Sequence, residues 1–106
     1  MSTRAHERQA VDEIMASNET KEAARLLSAA GFRELPGIRT DGRVGFRTIG
    51  DYYELVIQFT DGHMEAIRQT IDGPLWFPGH DEPHHLEWMK SGEPLDVVQE
   101  LLALPS

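Results

Sequence analysis

The densest run of reactive side chains is His80-Asp81-Glu82-Pro83-His84-His85-Leu86-Glu87, with a fifth histidine, His63, elsewhere. Imidazole and carboxylate are the only metal ligands to consider, because the chain has no cysteine. A zinc site takes three protein ligands when catalytic and four when structural. On a helix, His80 with His84, or Asp81 with His85, share a face at i, i+4 spacing. Pro83 favours a helix that starts after Asp81, which leaves His80 outside it and no third ligand assigned. A metal-dependent enzyme or metal sensor built on His80, Asp81, His84 and His85 is therefore an alternative reading. The plainer one packs one histidine on the neighbouring Trp76-Phe77 loop and leaves another in water.

Acid–base catalysis needs two carboxyl groups converging on a cleft, at least one with a displaced pKa. The available carboxylates have structural uses instead: Glu54 faces Arg47 across two strands, Glu65 falls on a polar face, and Asp51 and Asp61 sit in turns. No Gly-x-Ser-x-Gly elbow surrounds any serine, and the nine glycines form neither a dinucleotide fingerprint nor a phosphate loop. These absences argue against an enzyme, and no cofactor is expected.

Charge is unevenly divided. Residues 1–50 hold 8 basic and 7 acidic side chains, and residues 51–106 hold 2 and 11, so the halves carry +1 and −9. A net charge of −8 repels nucleic-acid phosphate. The one local exception is Arg33, Arg39, Arg43 and Arg47, a possible basic strip for a nucleic-acid accessory role, with solvated arginines on strand faces as the simpler account. An acidic half of this kind reports solubility or steering toward a basic partner more often than catalysis.

These residues must be positioned by elements that the spacing predicts. Arg4 to Ala30 is helical, but its apolar stripe changes phase, Val11-Ile14-Met15 giving way to Ala23-Leu26-Leu27-Ala30, so a helix pair broken at residues 16–18 fits best. Gly31 reads as the left-handed C′ residue closing the second helix, with Phe32 reaching back to Leu27. Asp41-Gly42, Gly50-Asp51 and Asp61-Gly62 then space four strands of an antiparallel meander over residues 32–71. Two-residue turns at Gly50-Asp51 and Asp61-Gly62 pair Phe46 with Leu55, Val44 with Ile57, Phe59 with Met64 and Ile57 with Ala66. A three-residue loop Thr40-Asp41-Gly42 brings Ile38 opposite Val44. Helices are expected on the Phe46/Leu55/Ile57/Phe59 face. Two short C-terminal helices follow, one from Asp81 through Leu86, Trp88 and Met89 to Gly92, and one opened by Pro94 and carrying Leu95, Val98, Leu101 and Leu102.

The expectation is one α+β domain over 1–106. With 40% hydrophobic and 26% charged residues it is apolar enough to fold alone. No apolar run approaches the ~20 residues needed to cross a bilayer, and the polar start Met1 to Arg8 lacks the apolar stretch of a signal peptide, so a cytoplasmic protein without a membrane partner is expected. The order helix, meander, helix in a small acidic chain resembles dimeric secretion-chaperone folds and acidic immunity or antitoxin proteins. That resemblance of shape and charge, carried by no motif, implies an inhibitor- or chaperone-like accessory role. The leading functional expectation is a non-catalytic domain that binds another protein or a second copy of itself. Its surface would be Tyr52, Val56 and Ile67 on an over-apolar sheet face, with Trp76 and Trp88.

Overall fold

The computed structural model describes residues 18–78 and 85–105. Within them the chain is α+β: helix α1 over 18–29, strands β1 (Arg33–Glu34), β2 (Gly42–Ile49), β3 (Tyr52–Phe59), β4 (Met64–Thr70) and β5 (Leu86–Gly92), and helix α2 (Pro94–Leu102). The strands form one antiparallel sheet in sequence order, β1 to β5. No helix among the described residues is long and apolar enough to cross a membrane.

α1 ends as its sequence requires. Gly31 has φ +96°, its N–H reaches the Ser28 carbonyl at 3.1 Å, and the Phe32 N–H reaches that of Leu27 at 3.0 Å. These two bonds are the Schellman closure, and Phe32 packs beside Leu27. α2 opens with Pro94 at its first turn and buries Val97, Val98 and Leu101. The helix expected before residue 18 and the Asp81 cap lie outside the described residues.

Four expectations need correction. First, there are five strands, because residues 86–92 form β5 where a helix was expected. Both faces of β4 are buried at its centre, so its outer N–H and C=O groups need a partner, and β5 supplies it. Trp88, Lys90 and Gly92 alternate with the more exposed Met89 and Ser91, a period of two.

Second, the three-residue loop falls at Asp61-Gly62 and not at Asp41-Gly42. The β3–β4 register is Leu55 opposite Ile67, Val56 opposite Ala66 and Glu54 opposite Arg68, one residue away from the expected pairing. Thr60, Asp61 and Gly62 form a three-residue loop: the Gly62 N–H reaches the Phe59 carbonyl at 3.1 Å, the Phe59 N–H reaches that of His63 at 2.9 Å, and Gly62 has φ +99°. This is a type I turn followed by a left-handed bulge residue, for which glycine is the natural choice. Gly42 instead lies in β2. Third, Pro36 and Gly37 interrupt the first strand, so β1 pairs Arg33 with Phe46 and Glu34 with Gly45, and Ile38 is exposed rather than opposite Val44. The β2–β3 register, with Phe46 opposite Leu55 and Val44 opposite Ile57, is as the sequence predicts.

Fourth, the helices pack on the other face. α1 and α2 cover Val56, Met64 and Ala66 through Ala23, Leu27, Val97, Val98 and Leu101. The second face, Val44, Leu55, Ile57 and Ile67, is covered without helices by Leu35, Phe46, Phe59, Trp76 and Phe77. Two irregular segments, 35–41 and 71–78, thus do a helix layer's work. Arg39 ties them together: its Nη1 donates to the Pro78 carbonyl at 2.9 Å, its Nε donates to Asp41 at 2.7 Å, and its guanidinium lies 5.4 Å from the Phe59 ring centre.

The loops should respond to acid. Hydrogen bonding holds three carboxyls below the ordinary aspartate value of 3.8: Asp41 through Arg39, Asp61 through the His63 N–H and ring, and Asp72 through the Thr70 hydroxyl and then the His85 charge. A carboxyl depressed in the folded state stabilises the fold above its unfolded pKa and loses that contribution as pH falls through the folded one. All three are exposed, so acid should loosen residues 39–41, 61–63 and 70–72 while the strands stay protected. Carbon-detected carboxyl titration should give three midpoints below 3.8; midpoints at or above it would remove these contacts from the solution structure.

Candidate interaction surface

The aromatic and aliphatic residues expected to form one binding face are divided between two. Val56 is buried beneath the helices and Ile67 is buried on the opposite face. Tyr52 stacks under Arg68, whose guanidinium lies 4.5 Å from its ring centre. Trp76 packs with the segment-covered face and Trp88 with the helical one. The one-residue change in the β3–β4 register produces this separation, since it moves every β4 side chain to the other face.

The arginines also diverge. Arg33 stands opposite Phe46 on one face, while Arg43 stands opposite Gln58 on the other and pairs with Glu34 at the rim. Arg39 fastens the two covering segments, as above. Arg47 is part-buried: its Nε donates to Glu54 at 2.7 Å, its Nη1 donates to the Ala30 carbonyl at 2.7 Å, and it lies 4.7 Å from the Phe32 ring centre. The expected Arg47–Glu54 cross-strand pair therefore exists, but buried rather than solvated. Glu54 also accepts from Arg68 Nε at 2.8 Å and Nη2 at 2.6 Å, completing an Arg-Glu-Arg cluster under the helix ends that the alternation pattern did not signal.

Of the proposed metal ligands, His80, Asp81 and His84 lie outside the described residues. His85 packs directly on Gly73, where an added Cβ would lie 1.9 Å from its Nε2, and its Nδ1 is 3.5 Å from Asp72. His63 stacks on Phe59 with ring centres 4.3 Å apart. Among the described residues no three His, Asp or Glu side chains gather in a way that holds an ion.

What remains is the free border of β5. Nothing among the described residues hydrogen-bonds to its outer side, because the sheet order ends there. Leu86, opposite Gln69, and Met89, opposite Ile67, are exposed on one side of it. Glu87 is the extra residue where the register shifts between Arg68 and Gln69, so it stands outside the pairing. Glu93, Asp96 and Glu100 continue the acidic border. The cation of β5, Lys90, is engaged by Glu100, and that hydrogen bond, with Asp96 adding, raises its pKa. Sequence reasoning missed this border because it placed residues 86–92 in a helix.

Family models, curated proteins and solved structures show no match to this chain.

Proposed function

We propose that the protein is a non-catalytic interaction domain that receives a basic, extended segment of another protein along β5. The observation that carries this reading is an acidic strand edge that pairs with nothing among the described residues, with exposed Leu86 and Met89, flanked by Glu87, Glu93, Asp96 and Glu100. An added strand gains main-chain hydrogen bonds from such a border, and alternate side chains supply selectivity. Self-pairing through the same edge would bring two acidic surfaces together, each belonging to a chain of net charge −8. A bulge and an inward lysine are devices that discourage indiscriminate edge pairing, and β5 has both. A cationic strand meets the opposite situation, since its charge complements the border.

The test is an amide-shift titration of the intact chain with an alternating Lys-Val peptide and with its Glu-Val counterpart. The Lys-Val peptide should shift residues 86–92, its affinity should fall as salt rises, and Met89→Lys should weaken it about tenfold or more. Equal binding of the Glu-Val peptide, or shifts confined to other elements, would refute the reading. Light scattering that shows a salt-insensitive dimer formed through β5 would replace it with self-association.

A further inference from the structure

We infer, building on the peptide reading of β5, that the strand it receives runs antiparallel and is amphipathic, with lysines or arginines on the side facing α2 and apolar side chains on the side of Met89. Hydrogen bonding inside the sheet fixes which main-chain groups of β5 are offered. The Phe59 N–H reaches the His63 carbonyl at 2.9 Å, so in that pair, and in Ile57–Glu65 and Leu55–Ile67, the β4 backbone turns to β3. The intervening residues Met64, Ala66, Arg68 and Thr70 turn theirs to β5, and the Thr70 N–H duly reaches the His85 carbonyl at 2.9 Å. Lys90 opposite Ala66 and Gly92 opposite Met64 therefore bond inward, and Met89 and Ser91 present their N–H and C=O groups outward.

The two faces of this border differ in chemistry. Lys90 lies on the face of Ala66, beside α2, where Glu100 binds its ammonium and Asp96 adds its charge. An ammonium on this side of the border is thus already held by α2. A guest residue opposite Lys90 stands about 5 Å further out, in a pair without main-chain bonds, where side chains lie closest. Glu100 and Asp96 are both exposed. Met89 and Leu86 lie on the other face, opposite Ile67 and Gln69, and both are exposed. An apolar guest side chain opposite Met89 covers it, whereas a lysine there would forgo that contact and lie across the sheet from Glu100. On that face Glu65, opposite Ser91, is part-buried one strand inward and lies 3.9 Å from His63 Nε2, so it draws a guest cation less than the exposed pair on α2 does.

Antiparallel pairing gives the more stable ladder, and all four strand pairs of the sheet already use it. The guest residue opposite Met89 then exchanges both main-chain bonds with it. In that arrangement the guest's apolar residues turn their N–H groups to β5 and its lysines turn theirs away. A parallel guest reverses the assignment, because the bonds to Met89 would come from the residues on either side of its opposite neighbour. Direction and face are therefore read together by blocking one set of N–H groups.

The intact chain is titrated with capped peptides of equal length and charge: the alternating Lys-Val strand, that strand N-methylated on its valines, that strand N-methylated on its lysines, and an isomer with lysines and valines in two blocks. Amide shifts of residues 86–92 report binding. Valine methylation should weaken it about tenfold or more, lysine methylation should leave it within about twofold, and the block isomer should bind about tenfold more weakly. Lys90→Gln removes a like charge beside the guest lysine and frees Glu100, so it should tighten the alternating peptide about threefold. Binding at β5 that is lost on lysine methylation, or that tolerates both methylations, would overturn the antiparallel amphipathic guest and leave the peptide reading of β5 standing. Equal affinity of the block isomer, or no gain from Lys90→Gln, would do the same. An alternating peptide that leaves residues 86–92 unshifted would overturn both.

Discussion

Glu54→Gln should cost the fold about 3–5 kcal/mol, a large share of the roughly 5–15 kcal/mol that holds a small domain together. Glu54 is fully buried and its two oxygens separate two guanidiniums, Arg47 on Oε1 and Arg68 on Oε2. Neutralising it leaves a buried cation, Arg68, and a part-buried one, Arg47, facing one another across an amide that can balance neither. Neither arginine can swing away freely. Arg47 is fastened to the Ala30 carbonyl at the end of α1, and Arg68 to the Pro105 carbonyl beyond α2. Urea unfolding should show the loss directly. Replacing all three together, Arg47→Met, Glu54→Leu and Arg68→Met, should recover most of it, because an apolar substitute removes both the charges and their desolvation. A single-variant loss under about 1 kcal/mol would mean that the cluster is open to water in solution.

Gln69→Met should lower stability by about 2–3 kcal/mol and release the segment that covers half the core. Gln69 is almost wholly buried in β4, and its side-chain amide imitates a strand: Nε2 donates to the Trp76 carbonyl and Oε1 accepts from the Trp76 N–H, each at 2.7 Å. Methionine keeps the volume and removes both bonds, so a part-buried donor and acceptor of the backbone are left unmade. The readout is the fluorescence of Trp76 in a Trp88→Phe background, which should shift to the red before global unfolding as the ring leaves the Leu55-Ile57-Ile67 face. An unchanged emission maximum together with unchanged stability would show that the Gln69 amide does not seat the segment, which packing and the Arg39–Pro78 bond then hold.

The places where sequence reasoning held and failed have physical causes. The Gly31 stop, the Pro94 helix and the Gly50-Asp51 hairpin are local, and their residues carry the whole instruction. The Asp61-Gly62 hairpin is different. Alternation fixes a register when one face of a strand is wet, but Leu55, Val56 and Ile57 are consecutive and all buried, as are Ala66, Ile67 and Arg68. Either pairing sets apolar against apolar, so the choice falls to the turn, and two Asp-Gly dipeptides with equal local claims adopted different geometries. β5 failed for a related reason. Leu86 and Met89 are three apart and fit a helix, while Trp88 and Lys90 are two apart and fit a strand. The unmet backbone of β4 decides, and that demand is non-local. The candidate edge follows from these non-local choices. The arginine cluster was half foreseen, through the Arg47–Glu54 pairing, and its second arginine required the correct register.

Synthesis order gives the β5 border one more consequence. A ribosome adding roughly 5–20 residues per second releases β4 on the order of seconds before residues 86–102 follow it. During that interval the nascent chain presents a bare hydrogen-bonding rim and an uncapped Val56-Ala66-Met64 surface. The chain is then most open to wrong neighbours, and the speed at which residues 71–102 follow β4 should govern its yield.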